Sequence, residues 1–236
     1  MKTNLQLQIE VAWACRLLAK DGHSDFSLGH VSARATQGDA MLIKRRGVSL
    51  EEVKPSDVLH VDLDGKKLEG EGNIHLEYPF HSEVYKHRKD VGAVMHTHPP
   101  YATAMSATTQ RLKMVTHDST LFYDGVARFN DSPNLVTNQE QGHTIALALG
   151  AARALLLRNH GVLVVGKDIP WVVITALTLE RAIKFQMLAD ALGGSDNEMS
   201  EQEAKQLHQQ KFQDVFIYDY WDYLVRNAKC EGDDVR

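Results

Sequence analysis

Two histidines, His96 and His98, close the apolar run Val91-Gly92-Ala93-Val94-Met95, and Pro99-Pro100 stops it. Strand side chains alternate with period two, so a strand here puts both imidazoles on one face. Two imidazoles side by side at a strand end offer two ligands to one divalent metal. For the H-x-H pattern alone, a pair of surface histidines at a loop mouth is the competing explanation. A third histidine shifts the balance: the apolar run Ala154-Leu155-Leu156-Leu157 leads through Arg158-Asn159 to His160-Gly161. Three histidines with an open coordination position are the usual form of a catalytic rather than a structural site.

The elements that must hold these groups can be read from periodicity and punctuation. Leu5, Ile9, Trp13 and Leu17 at helical spacing predict an amphipathic helix over residues 5–20, ended by Asp21-Gly22. Residues 28–34, 40–44 and 58–62 predict strands, with a hairpin signal at Asp64-Gly65 and a return over 66–69. Residues 77–88 predict a helix with Pro79 in its first turn, which puts Glu77, His81 and Tyr85 on one face. Residues 99–107 and 138–149 predict helices, the latter closed by Gly150, and 154–158 and 162–165 predict strands. Asp168 is placed to cap a long helix that runs to about Ala191, and residues 201–227 predict a last helix. Strands first, then interspersed helices and hairpin-like neighbours, argue for an α/β protein with a mixed or antiparallel sheet covered by helices.

With 236 residues the chain suits one domain, residues 1–236, and 43% hydrophobic content is enough for a full core. A net charge of −5 and the absence of a long basic run argue against nucleic acid as a partner. No apolar stretch is long enough to span a membrane, and the first residues lack the apolar block of a signal peptide. The two cysteines, Cys15 and Cys230, form no framework, so a cytoplasmic location is expected. No Gly-x-Gly-x-x-Gly follows a strand, so a dinucleotide cofactor is not expected.

These motifs together resemble the class II aldolase/adducin family. Gly29-His30-Val31-Ser32-Ala33-Arg34, Glu77 with His81 and Tyr85, His96-Thr97-His98-Pro99, Asn159-His160-Gly161 and Glu180 occur in the family's order over about residues 5–192. The resemblance implies a three-layer α/β/α fold around a mixed, largely antiparallel sheet. It also implies a homotetramer with one divalent metal, zinc or manganese, per subunit at the subunit boundary. On that match His96, His98 and His160 are metal ligands, and Glu77 is the catalytic acid/base. The C-terminal segment, on the same match, reaches a neighbouring subunit's site and makes Tyr218 and Tyr220 candidates.

Departures from the family's sugar-phosphate aldolases carry information about substrate. Those enzymes have Gly-Asn in the first motif, a small polar loop after the second strand, and two serines before the acidic residue. This chain has Gly29-His30, Lys44-Arg45-Arg46-Gly47 and His75-Leu76, and His117-Asp118 stands where many aldolases place a tyrosine. Short hydroxyl and amide groups cradle a phosphate, whereas His30, Arg46 and His75 suit a planar carboxylate. The Gly-His-Val-Ser-x-Arg motif looks like the family's branch that decarboxylates hydroxylated aromatic or dienoic acids. The expected substrate-binding residues are therefore His30, Ser32, Arg46, His75, His81, His117 and Tyr218, and the expected activity is carboxy-lyase. A sugar-phosphate aldolase or epimerase is the second reading, and a non-catalytic adducin-like binding domain the third. His23, His60, His87, His143 and His208 are expected at the surface, and Tyr85 in the core.

Overall fold

The computed structural model describes residues 2–194 and 197–235. Its centre is one eight-stranded sheet: β1 (His30–Arg34), β2 (Ala40–Lys44), β3 (Val58–Asp62), β4 (Lys67–Glu69), β5 (Ala93–Thr97), β6 (Ala127–Phe129), β7 (Ala154–Leu157) and β8 (Gly161–Gly166). The strand order is β4-β3-β2-β1-β5-β8-β7-β6. Every neighbouring pair is antiparallel except β6 and β7, so the sheet is mixed and largely antiparallel, as expected.

Both faces of the sheet are apolar because helices cover both. Met41 and Ile43 of β2 turn to one face with Leu59, Val61 and Val94, while Ala40 and Leu42 turn to the other with Val31 and Met95. The first face is covered by α2 (Pro79–His87) and α4 (Gln139–Leu149), through Phe80, Val84, Ile145 and Leu149. The second is covered by α1 (Asn4–Leu18), α3 (Pro100–Ser106), α5 (Ile169–Ala191), α6 (Glu201–Lys211) and α7 (Asp214–Cys230). The result is the expected three-layer α/β/α arrangement.

Local chemistry sets the helix ends. Thr3 and Gln6 form a capping box on α1, Asn138 accepts from Gln141 N–H on α4, and Asp168 accepts from Trp171 N–H on α5. Glu180, buried on α5, accepts the Tyr101 and Ala102 N–H groups at 2.7 Å each. It thereby caps α3 from across the layer and fixes the chain just after His98-Pro99-Pro100.

Two expectations are corrected and one strand is added. Residues 201–227 are not one helix. α6 and α7 are separated at Phe212 and Gln213, where Phe212 is pinned in the core and Gln213 is extended. Asp214, in the first turn of α7, binds Lys167 Nζ and Trp171 Nε1, so α7 starts from an anchor of its own. His23 is buried rather than at the surface, just past Gly22, which takes φ 84° and ends the helical conformation as the sequence predicts. β6 is an addition, since three residues are too few to show a period.

α2 and α4 cross closely because α4 has a glycine at the contact. A Cβ at Gly142 would stand 2.6 Å from the carbonyl oxygen of Pro79. Gly142→Ala is therefore expected to destabilise the protein by about 1–3 kcal/mol, the usual cost of overpacking. Urea melts check this, and an unchanged midpoint would show that the crossing has slack.

Candidate metal centre

The register of the central strands assembles the site. His30 of β1 lies directly opposite His96 of β5, and Thr97 lies opposite Val162 of β8. The turn from β7 to β8 then delivers His160 beside His96 and His98, with Asn159 in the left-handed conformation at φ 58°. Asparagine is among the residues that tolerate this conformation.

Two hydrogen bonds orient the pair. His96 Nδ1 lies 3.1 Å from the Val162 carbonyl, and His98 Nδ1 lies 2.9 Å from Asp25 Oδ2. Both partners are acceptors, so each Nδ1 carries a proton, and in the neutral rings each Nε2 is left with a lone pair. Those two Nε2 atoms face each other at 3.0 Å. Two facing lone pairs repel unless a cation lies between them. One ligand atom from each of His96, His98 and His160 lies within 4.8 Å of the others. Burial, the largest cause, holds His96 well below its usual pKa and lowers His160 to about 4. Three converging imidazoles, two of them oriented through Nδ1, are a donor set that fits a borderline divalent cation.

Glu77 sits in the turn just before α2, with its carbonyl bonded to Phe80 N–H. Its Oε2 is 3.7 Å from both His96 Nε2 and His30 Nε2, and its Oε1 is 3.9 Å from His160 Nε2. Val136 N–H, 3.2 Å from Oε1, steadies the carboxylate. Burial raises the Glu77 carboxyl to about 7, so it exchanges a proton near neutrality.

Behind Glu77 runs a buried chain of polar groups. His30 Nδ1 is 2.6 Å from His81 Nε2, His81 Nδ1 is 2.7 Å from Ser32 Oγ, and Ser32 Oγ is 2.8 Å from the Tyr85 hydroxyl. The chain ends at His30 Nε2, which is buried without a hydrogen-bond partner and faces Glu77. Ser32 and His81 thus lie behind His30, and Tyr85, expected in the core, closes the chain there. The His75 ring stacks at a tilt against His30, 3.9 Å between centroids. Burial is the main reason that the His75 and His81 pKa values fall to about 3, so both stay neutral.

The basic run divides. Arg46 is exposed at the rim, where its charge contributes to lowering the His75 pKa. Lys44, fully buried at the end of β2, donates to the Ser27 carbonyl at 3.1 Å. The loop it holds also carries Asp25. Between the two anchors Phe26 adopts φ 48°, an unusual conformation for a bulky residue and a sign that both ends of the loop are fixed. Asp25 and Lys44 carried no mark in the sequence as site residues. Asp25 meets His98 only through the fold, and Lys44 ends the strand beside Arg45 and Arg46 with nothing local to mark its burial.

Two expected residues lie apart from this group in the chain. His117 is exposed, and its neighbour Asp118 pairs with Arg181 and Lys211. Tyr218 donates to Asp168 Oδ2 at 2.7 Å. Asp168 follows β8, whose other end adjoins His160. A cleft of about 450 Å³, lined by Asp25, His98, Thr103, Asn159 and His160 among others, opens the centre to solvent. No helix among the described residues is long and apolar enough to cross a membrane.

Residues 9–187 match the family model described as class II aldolase and adducin N-terminal domain, and the chain belongs to that family. It is 32% identical over 193 residues to a putative class 2 aldolase of Pseudomonas aeruginosa, covering 81% of this chain and 74% of that protein. It is 28% identical to the 3,4-dihydroxyphthalate decarboxylase of Arthrobacter keyseri, covering 81% and 84%. The solved L-fuculose 1-phosphate aldolase from Glaciozyma antarctica PI12 superposes with a TM-score of 0.86 at 26% identity, covering 99% and 92%. The two activities in those names, decarboxylation and aldol cleavage, both break a carbon–carbon bond.

The Asp25–His98 contact yields a prediction. Asp25→Asn keeps the shape but removes the charge that favours the Nδ1–H tautomer. It should weaken zinc binding by about 10–100-fold, the usual effect of losing a group that orients a metal-binding histidine. Competition with a chromogenic chelator measures it, and unchanged affinity would mean that His98 needs no such support.

Proposed function

We propose that this protein is a divalent-metal-dependent carboxy-lyase acting on a small hydroxylated aromatic or dienoic carboxylate. The observation that carries this reading is the pair of neutral rings, His30 and His75, set 3.9 Å apart beside Glu77. Arg46 at the rim and the buried Lys44 add positive charge to this end of the site. Flat rings and a guanidinium suit a planar acid better than a tetrahedral phosphate.

The residues divide the work. When bound at His96, His98 and His160, a zinc or manganese ion supplies Lewis acidity toward negative charge developing on a substrate oxygen. His30 and His75 orient the carboxylate, with His30 held by His81, Ser32 and Tyr85. The bond from ring carbon to carboxylate breaks, CO₂ leaves, and the electron pair stays with the substrate. Glu77, protonated in part near neutrality, delivers its proton to that carbon and is recharged from water through the open cleft. We further propose a cytoplasmic homotetramer, following the family resemblance, in which a neighbour's C-terminal helices approach the cleft.

Sugar-phosphate cleavage is the second reading, favoured by the similarity to the L-fuculose 1-phosphate aldolase from Glaciozyma antarctica PI12. Against it stand the missing serines and the His30 and His75 rings. The complete donor set around Glu77 also argues against a non-catalytic role.

The test is CO₂ release from a panel of ortho-hydroxy aromatic acids with added zinc or manganese. Turnover is expected, falling about 10²–10⁴-fold in Glu77→Gln. Arg46→Ala should lower kcat/KM by roughly ten- to a hundredfold, as for loss of a charged hydrogen bond worth about 1.5–3 kcal/mol. Rapid cleavage of fuculose or ribulose phosphates, with no CO₂ from any acid, would replace this reading with the aldolase one.

A further inference from the structure

A second donor cluster lies on the opposite side of α2, away from the central site. Glu83 and His87 stand one turn apart on α2, and His143 projects from α4 beside them. Glu83 Oε2 is 3.7 Å from His143 Nδ1 and 3.9 Å from His87 Nδ1, and the two imidazole rings are 4.6 Å apart. One ligand atom from each of the three lies within 4.8 Å of the others.

Details of the cluster favour a cation over a chance surface grouping. Glu83 is buried, and its Oε1 is held by Lys86 Nζ at 2.9 Å. Lys86 is shared with Asp64 at 3.0 Å, so the ammonium stays on the Oε1 side and Oε2 is turned toward the histidines. His87 Nδ1 lies 2.8 Å from the Glu83 carbonyl, an acceptor, so Nδ1 carries the proton and Nε2 is left free to bind a metal. His143 is half-exposed, which leaves an entry path and room for water ligands.

We propose that Glu83, His87 and His143 form a second divalent-metal site, separate from the central one and selective for borderline ions such as Zn²⁺ or Ni²⁺. Two imidazoles and one carboxylate suit these ions and disfavour Mg²⁺ and Ca²⁺, which prefer all-oxygen ligands. The site's position suggests its use. Glu77 immediately precedes α2, and Val136, whose N–H binds Glu77, shortly precedes α4. An ion held by ligands from both helices braces the two segments that hold the Glu77 carboxylate. This inference does not depend on the substrate reading.

The experiment counts ions. Chelator-treated protein is titrated calorimetrically with Zn²⁺ and with Ni²⁺, as wild type, His87→Ala, His143→Ala, His96→Ala and the double variant His96→Ala/His143→Ala. Wild type should bind two ions per chain, each single variant one, and the double variant none at the same concentrations. In the His96→Ala background the metal should raise the Tm, and adding His143→Ala should remove that rise. Affinity at the outer site should fall at least about tenfold in His143→Ala, by analogy with weakened metal ligation elsewhere. One ion per chain in wild type, lost in His96→Ala, would overturn the proposal. So would a second ion that persists in both His143→Ala and His87→Ala. A single wild-type ion lost only in His143→Ala would instead support the outer site and count against the central one.

Discussion

The arrangement that the rest of the site depends on is a close approach: the Nε2 atoms of His96 and His98 are held 3.0 Å apart, which in neutral rings sets two lone pairs face to face. Val162 and Asp25 enforce it by accepting the Nδ1 protons of His96 and His98. Left alone, the pair would be relieved by rotating a ring or by taking a proton. Burial disfavours the proton on His96, and the strand backbone limits the rotation. A divalent cation resolves the conflict without moving either ring, which is how a fold stores affinity for an ion before the ion arrives.

Holding that arrangement requires support from both layers. Glu180 on α5 ties down the start of α3 just after His98, and Lys44 holds the loop that carries Asp25. On the other side, the turn before α2 contributes Glu77, and α2 itself contributes His81 and Tyr85. Buried polar groups are costly unless satisfied, and here His81, Ser32 and Tyr85 satisfy one another. The chain leaves one unpartnered nitrogen, His30 Nε2, and it faces Glu77. The apolar sheet beneath both layers makes this rigidity affordable.

Much of this was legible in the sequence, for definite reasons. His96 and His98 share a face because strand side chains alternate, and His160 follows because Asn-His-Gly must turn. Glu77, His81 and Tyr85 align because helical spacing brings them together even though Glu77 precedes the helix proper. Asp25, Lys44 and His23 were not legible. The first two act through partners distant in sequence, and His23 is carried inward by the turn at Asp21-Gly22 to meet Thr97 Oγ1, a contact with no local signature. The break between α6 and α7 is not legible because it follows from Phe212 docking in the core and from the anchor at Asp214, neither of which has a local signature.

The most direct test of the account is anomalous scattering from crystals grown with zinc, collected on both sides of the zinc absorption edge. The account predicts a peak at about 2.0–2.1 Å from Nε2 of His96, His98 and His160, with their Nδ1 atoms still on Val162, Asp25 or an equivalent acceptor. A strong peak that leaves any of these three histidines uncoordinated, or no peak at the cluster in crystals whose zinc content is confirmed, would contradict it.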